Sequence, residues 1–451
     1  WREDAHPAYA GVIARWQERP VQELSCGELL AGAREIMSAL VYLYTTLQTG
    51  MIPASVMSET IFTQVYNRLI RRRGDPEPVE FLLGFESAPI EADLALFDLA
   101  EWARGCPGLA AYLSDRRGDQ AAVDMRAGIC PADIAPDDWQ DWQVRFEQHL
   151  ETYGHALYDL DFSKPLPADD PAPLLETLRL YLRGESHSPA ERLQGQGERR
   201  DRAVERILAR TSGLKRGWFL KALRSAQRNA PMRENGLADL GLGYPLLRRL
   251  LLEFGRRLAA AGMIHERQDV FWLLEGEAQS AAEELDSGAV QLPPAEEAVA
   301  QRKRIWKAEK RVTPPTLLPE ASRFLGLDVG SFGARTSGQA GDTIKGTGAY
   351  PGRVTGVARV LRGPEDFGLM QSGEILVAAI TTPAWTPLFA KAAAIVTDIG
   401  GPLSHSSIVA REYGIPAVLG AGVATRRIRS GQVITVDGSA GLVSLDIKTG
   451  K

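Results

Sequence analysis

The stretch that decides the reading is TDIGGPLSHSSIVAREYGIPAV, residues 397–418. Just before and into it, AAAIVTD (392–398) has the pattern of a buried strand. Gly400 and Gly401 then break the strand with a turn in which backbone can approach a ligand closely. Ser404 fits an N-cap, HSSIVAREYG runs as a helix, and Gly414 with Pro416 stops it. His405 is therefore expected at a helix N-terminus. The positive end of the helix dipole disfavours imidazolium there, which keeps the ring neutral and nucleophilic. The N–H groups of the first turn, with the Gly-Gly backbone, can cradle an anion such as a phosphoryl group. A neutral histidine beside such a cradle suits covalent phosphoryl transfer through a ring nitrogen. A capping or partly buried structural histidine would leave the same local pattern. Other chemistry finds less support: there is no G-x-S-x-G elbow, and His6, His149, His155, His187 and His265 lack H-E-x-x-H spacing.

Outward from this stretch the chain has two grammars. Residues 1–312 read as helix after helix, with apolar residues at three- and four-residue spacing in 27–48, 171–184 and 244–264. KPLPADDPAP (164–173) marks a break, and the polar, glycine-dotted ERLQGQGERRDRAVER (191–206) reads as a mobile connection. Residues 313–345 are rich in Pro, Gly, Ser and Thr and read as a flexible linker. From 346 to 451 strand patterns dominate: GRVTGVARVL, GEILVAAI, AAIVTDIG, PAVLGA, QVITVDG and LVSL, with short helices expected near 385–392 and 405–413. The expected architecture is multi-domain: a mostly α-helical domain, a linker, and a C-terminal α/β domain.

Bulk properties narrow the function. A 451-residue chain, 44% hydrophobic and 24% charged, suits a globular protein of two or three domains. A net charge of -5 gives no indication of nucleic acid or an anionic membrane as partner. No apolar run reaches the ~18 residues of a membrane span. Cys26, Cys106 and Cys130 are far apart and show neither a disulfide framework nor zinc spacing, so no metal site and a reducing cytoplasm are expected. The chain opens WREDAHPAYAG, without a signal-peptide pattern or an initiator Met, which suggests a processed product or a piece of something longer.

The strings TTPAWTPLF (381–389), IVTDIGG (395–401), SHSSIVAREYGIPAVLG (404–420) and GQVITVDGSAGLV (431–443) occur in this order. Together they closely resemble the phosphohistidine swivelling domain of the PEP-utilizing enzymes, found in phosphoenolpyruvate synthase, pyruvate phosphate dikinase and rifampin phosphotransferase. The resemblance implies a swivelling β/β/α domain over 346–451, with His405 carrying the phosphoryl group. It implies that Thr397, Gly400, Gly401, Ser404 and Ser406 line the phosphate. Arg411 and Glu412 would brace the helix or the docking face. Upstream, YGHALYDLDF (153–162), RENG (233–236) and FGRRLAAAGMIHERQDVFWLLEGE (254–277) resemble the helical substrate-binding domain of the rifampin phosphotransferase type. There an Arg-Glu pair, matched by Arg233 and Glu234, is followed by a lysine, and the arginine and lysine assist transfer; by this resemblance Leu237 stands at the lysine position here. An arginine near a transferring phosphoryl group stabilises its charge. His155 is a candidate general base for a substrate hydroxyl and Tyr153 a candidate substrate contact, although both also fit packing roles.

In this family an ATP-grasp domain binds ATP and Mg2+ and loads the histidine. No convincing ATP-grasp pattern is seen in the first 310 residues, and none of a (β/α)8 PEP barrel. The expectation is a dikinase-type phosphotransferase part, loaded by an ATP-grasp domain in cis or in trans, that passes the phosphoryl group from His405 to a small organic acceptor. Two alternatives stay open: an ATP-dependent ligase of the same architecture, and a non-catalytic ligand-binding or regulatory fragment.

Overall fold

In the computed structural model the described residues are 1–157, 160–184, 188–310, 323–324, 327–328, 341–382, 385–401 and 404–445. In chain order the helices are α1 Ala5–Gln17, α2 Cys26–Thr46, α3 Ile52–Leu69, α4 Ala88–Arg104, α5 Pro107–Asp115, α6 Gly118–Arg126, α7 Pro136–Tyr153, α8 Ala172–Leu182, α9 Pro189–Leu208, α10 Gly213–Asp239, α11 Tyr244–Ala260, α12 Glu275–Asp286 and α13 Glu296–Glu309. After them come strands β1 Arg323–Phe324, β2 Leu327–Asp328, β3 Thr343–Lys345, β4 Thr347–Tyr350, β5 Arg353–Leu361, β6 Ile375–Ala378, β7 Ala394–Thr397, β8 Ala417–Leu419, β9 Val433–Asp437 and β10 Leu442–Leu445. Short helices α14 Thr386–Phe389, α15 His405–Tyr413 and α16 Ala424–Arg427 lie among the strands. The helical first part and the C-terminal sheet agree with the expected fold class. No helix among the described residues is long and apolar enough to cross a membrane.

The expected single helical domain over 1–312 is instead divided. One compact unit comprises 1–51, 159–169 and 239–315; the other comprises 52–158, 170–238 and 316–451. In the first unit α1, α2 and α11 pack around Tyr9, Leu29, Ile36, Leu250 and Phe254, all without exposed surface. In the second, α4 to α8 enclose Leu99, Trp142, Phe146, Leu178 and Tyr181, while Phe62, Tyr66, Phe81 and Phe219 form a separate aromatic cluster. Hydrophobic periodicity identifies each helix but not the core it joins, which explains the difference.

The segment 191–206, expected as a mobile connection, is the body of α9. Ser188 caps it by accepting from Glu191 N, Pro189 occupies the first turn, and Gln196, Ala203 and Ile207 form its buried stripe. The preceding loop packs closely on it: a Cβ on Gly84 would lie 2.4 Å from the backbone nitrogen of Gly197, so the tight approach requires glycine at 84. Arg200 then donates to the carbonyls of Leu83 and Gly84 at 3.1 and 2.8 Å.

The sheet of the second unit has eight strands in the order β3-β10-β9-β5-β6-β7-β8-β4. β5, β6, β7 and β8 run parallel, and the outer pairs are antiparallel. Along β6, Leu376 and Ala378 face one core cluster and Ile375 and Val377 the other, so this strand is buried on both faces. β3 lies inside the residues expected as linker. Its Ile344 is fully buried and pairs with Val443, so the domain begins earlier than 346. Two other short stretches of the expected linker, β1 and β2, pair antiparallel; the remainder of 313–340 lies outside the described residues.

Candidate functional site

β7 ends at Thr397, and a parallel crossover through α15 returns the chain to β8. Functional groups in open parallel sheets collect at this carboxyl end of the strands. Hydrogen bonds among the described residues fix the turn. Asp398 accepts from the backbone nitrogens of Ala424 and Thr425 and from the Thr425 hydroxyl, tying the strand end to α16. Ala421 N donates to Thr397 O at 2.9 Å. Ile399 N donates to Ala379 O at 2.8 Å.

Gly400 has φ +146°, a region L-residues rarely adopt. A Cβ built there would lie 3.0 Å from Ser404 Oγ and 3.2 Å from Thr397 Oγ1. Two hydroxyls therefore converge on the face that the missing side chain leaves bare. The Thr397 hydroxyl is fully buried and has no hydrogen-bond partner among the described residues. A buried hydroxyl left without a partner carries a desolvation cost that a polar ligand or neighbour removes. Ser404 takes the N-cap position as the sequence implies: its side chain accepts from Ser407 N, and Gly414 closes the helix at φ +66°. The first-turn N–H groups that a helix leaves without intrahelical partners point toward the same turn. The backbone of His405 opens α15; its side chain and that of Glu412 lie outside the described residues. Ser406 is 1% exposed, and its hydroxyl is 2.8 Å from Thr381 Oγ1, so it ties α15 to the 381–382 segment. A Cβ on Gly401 would meet no described atom within 4 Å.

Arg233 and Glu234 lie in α10, both nearly buried, with Arg233 Nε and Nη2 donating to Glu234 Oε1 at 3.1 and 2.9 Å. They line a cavity of about 60 Å³ together with Ser55 and Glu59 of α3 and Ile408 and Arg411 of α15. All of these residues belong to the second unit. Burial pushes the Glu59 carboxyl up, opposed by the charges of Arg411 and Arg233. Burial pushes the Arg411 guanidinium down; Glu59 opposes this and Arg233 adds to it. The cavity thus sets two arginines against two carboxylates next to the helix that His405 opens. Leu237 is also in α10 but is not among the residues lining it.

Tyr153 closes α7, its ring 5.1 Å from that of His149. Burial disfavours protonation of His155, and a hydrogen bond with the Thr152 backbone opposes this. Neither residue lines the cavity. Two residues on, Leu157 O accepts from the Thr382 hydroxyl at 2.7 Å, next to the Thr381–Ser406 contact. Tyr153 and His155 are therefore connected to the α15 side through a loop and not through the cavity. Glu59 carries no signal in the sequence: it sits in SETIFTQV (58–65), which has no motif spacing. Among the described residues, no group of three or more His, Cys, Asp or Glu side chains is placed to hold a metal ion.

Comparison with known proteins gives matches to two stretches of the chain. Residues 370–441 match the PEP-utilising enzyme mobile domain, and residues 51–234 match the rifampicin phosphotransferase fourth domain. Among curated relatives, a chondramide synthase from Chondromyces crocatus is 31% identical over 388 residues, 82% of this chain and 10% of that one. A rifampicin phosphotransferase from Streptomyces sviceus is 30% identical over 373 residues, 79% of this chain and 39% of that one. The uncharacterized phosphotransferase YvkC of Bacillus subtilis is 28% identical over 372 residues, 81% of this chain and 43% of that one. The chain therefore spans less than half the length of each of these relatives. Residues 370–441 thus carry the mobile domain of PEP-utilising enzymes, and residues 51–234 a rifampicin phosphotransferase fourth domain.

Proposed function

We propose that this chain is the carrier and acceptor part of a phosphotransferase. A phosphoryl group from ATP rests on a ring nitrogen of His405 and then passes to a small organic acceptor held by the helical segment of the second unit. The observation that carries this reading is the shared cavity: Arg233 of α10 and Arg411 of α15 line it together. The helix that His405 opens is thus already beside an acceptor-side arginine.

In the first half-reaction the lone pair of the neutral imidazole attacks phosphorus. The N–P bond forms as the P–O bond to the ATP-derived leaving group breaks. In the second, an acceptor nucleophile attacks, the N–P bond breaks, and the ring recovers its lone pair while the acceptor releases its proton. The helix N-terminus supports the neutral ring and, with Thr397 and Ser404, stabilises the phosphoryl oxygens. Arg233 stabilises charge on the phosphoryl group as it leaves nitrogen. We assign ATP and Mg2+ to an ATP-grasp domain acting in cis or in trans.

The test is labelling of the full-length protein, or of this chain with its ATP-grasp partner, by ATP carrying radioactive phosphate. The reading expects acid-labile, base-stable label that His405→Ala abolishes and His155→Ala retains. Label that survives His405→Ala contradicts it. Product analysis then separates phosphorylation of the acceptor from coupling with release of free phosphate.

A further inference from the structure

The helix that His405 opens is held at its far end by two carboxylates that take no part in the phosphate cradle. Arg411 of α15 lies 3.8 Å from Glu59 of α3, while its Nε donates to the carbonyl of Ala349 at 3.2 Å. Tyr413, the last residue of α15, donates from its hydroxyl to Asp93 Oδ2 of α4 at 3.3 Å. Over the Tyr413 ring sits the guanidinium of Arg192 from α9, 3.8 Å from the centroid, and Arg192 pairs with Asp93 at 3.0 Å. Asp93 also accepts from the Tyr181 hydroxyl and is only 6% exposed. Two further contacts extend the same face: Thr382 to Leu157, and Lys391 Nζ 3.9 Å from Glu176. Every partner in this set lies within the second unit.

The chemistry of the face suits reversible attachment. Each of these contacts joins polar or charged groups, and a buried ion pair roughly breaks even because each ion recovers its hydration on separation. Losing one partner is different, since the other charge is then left dry and uncompensated. Such a face fixes orientation and register without gluing the surfaces together as a large apolar one does.

We infer that Glu59 and Asp93 are positioning residues that dock the His405-bearing helix on the acceptor side through Arg411 and Tyr413. The inference rests on the phosphotransfer reading for its purpose but not for its test. Neither carboxylate touches the phosphate cradle, so their loss spares loading of His405 and slows its discharge.

The experiment is hydrogen exchange on the whole chain, comparing peptides over 52–69 and 405–413 with peptides over 433–445 in the sheet. Glu59→Arg and Arg411→Glu each raise exchange of the first two by about tenfold and leave the third unchanged. The charge-swapped double variant returns exchange to near the parent value. Should Glu59→Arg fail to fold, the neutral pair Glu59→Gln and Arg411→Gln replaces it, and the double then rises no more than either single. Asp93→Asn loosens the same peptides. Unchanged protection of 405–413 in the single variants overturns the inference. So does a rise that includes 433–445, or one that the swap or the double leaves additive. Failure of His405 to accept label, with the exchange pattern intact, would instead sink the phosphotransfer reading and leave the docking assignment standing.

Discussion

The neighbouring glycines at 400 and 401 are predicted to differ in their response to alanine. Gly400 holds φ +146°, and a methyl there would press against Ser404 Oγ at 3.0 Å and Thr397 Oγ1 at 3.2 Å. A side chain forced into such backbone costs about 1–3 kcal/mol. Both hydroxyls are held in place, Ser404 by Gly401 O and Ser407 N and Thr397 at a fully buried strand end, so little of that cost can relax. For a unit of more than 150 residues, each kcal/mol lowers the melting temperature by about 2–4 °C. Gly400→Ala should therefore lower the melting of the second unit by about 5 °C. Gly401→Ala meets no described atom within 4 Å and should stay within about 0.5 kcal/mol of the parent. The family resemblance sets Gly401 against the phosphate, so labelling of His405 should fall although the fold is intact. Calorimetry or denaturant unfolding, read alongside labelling, decides the matter. Equal melting of the two variants, or a Gly401→Ala protein that labels at the parent rate, would refute the cradle geometry.

Other consequences follow from individual side chains. Burial lowers the His149 pKa to about 4 from its ordinary 6.5. The folded state then resists the proton that the unfolded state takes up, so stability is full above the unfolded pKa and falls as pH drops toward the folded one. The loss approaches about 3 kcal/mol, and His149→Leu should flatten that slope in urea unfolding at a series of pH values. Ser404→Ala removes the cap on Ser407 N and should cost about 1 kcal/mol in denaturant unfolding. Arg233→Lys keeps the charge but loses the two-nitrogen contact with Glu234. It should leave histidine labelling intact and slow transfer onward in a chase experiment, and loss of both steps would make Arg233 structural.

The sequence made some elements readable because their determinants are local. The cap at Ser404, the left-handed Gly414 and the apolar strand before Thr397 are encoded within a few residues, so α15 and its turn could be placed in advance. The same holds for most strands from β5 onward. Other features depend on distant partners. β3 and β4 are short, with no alternation to announce them, and become strands because β10 and β8 offer edges. The glycines of α9 suggest a connection, yet the segment is helical because Gln196, Ala203 and Ile207 find a buried face and the Gly84 backbone packs against it. The division of the helices into two units depends on which buried stripe meets which. In the site, Arg233 and Glu234 carried a recognisable pattern, but Glu59 and Asp93 acquire meaning only when α3 and α4 are brought against α15.

Fragment mass spectrometry of the loaded protein, kept at alkaline pH so that phosphohistidine survives, tests the central claim most directly. The account predicts one added phosphoryl group, located within the peptide that contains His405 and absent after His405→Ala. A phosphoryl group on another residue, or none in a protein competent for ATP turnover, would contradict it.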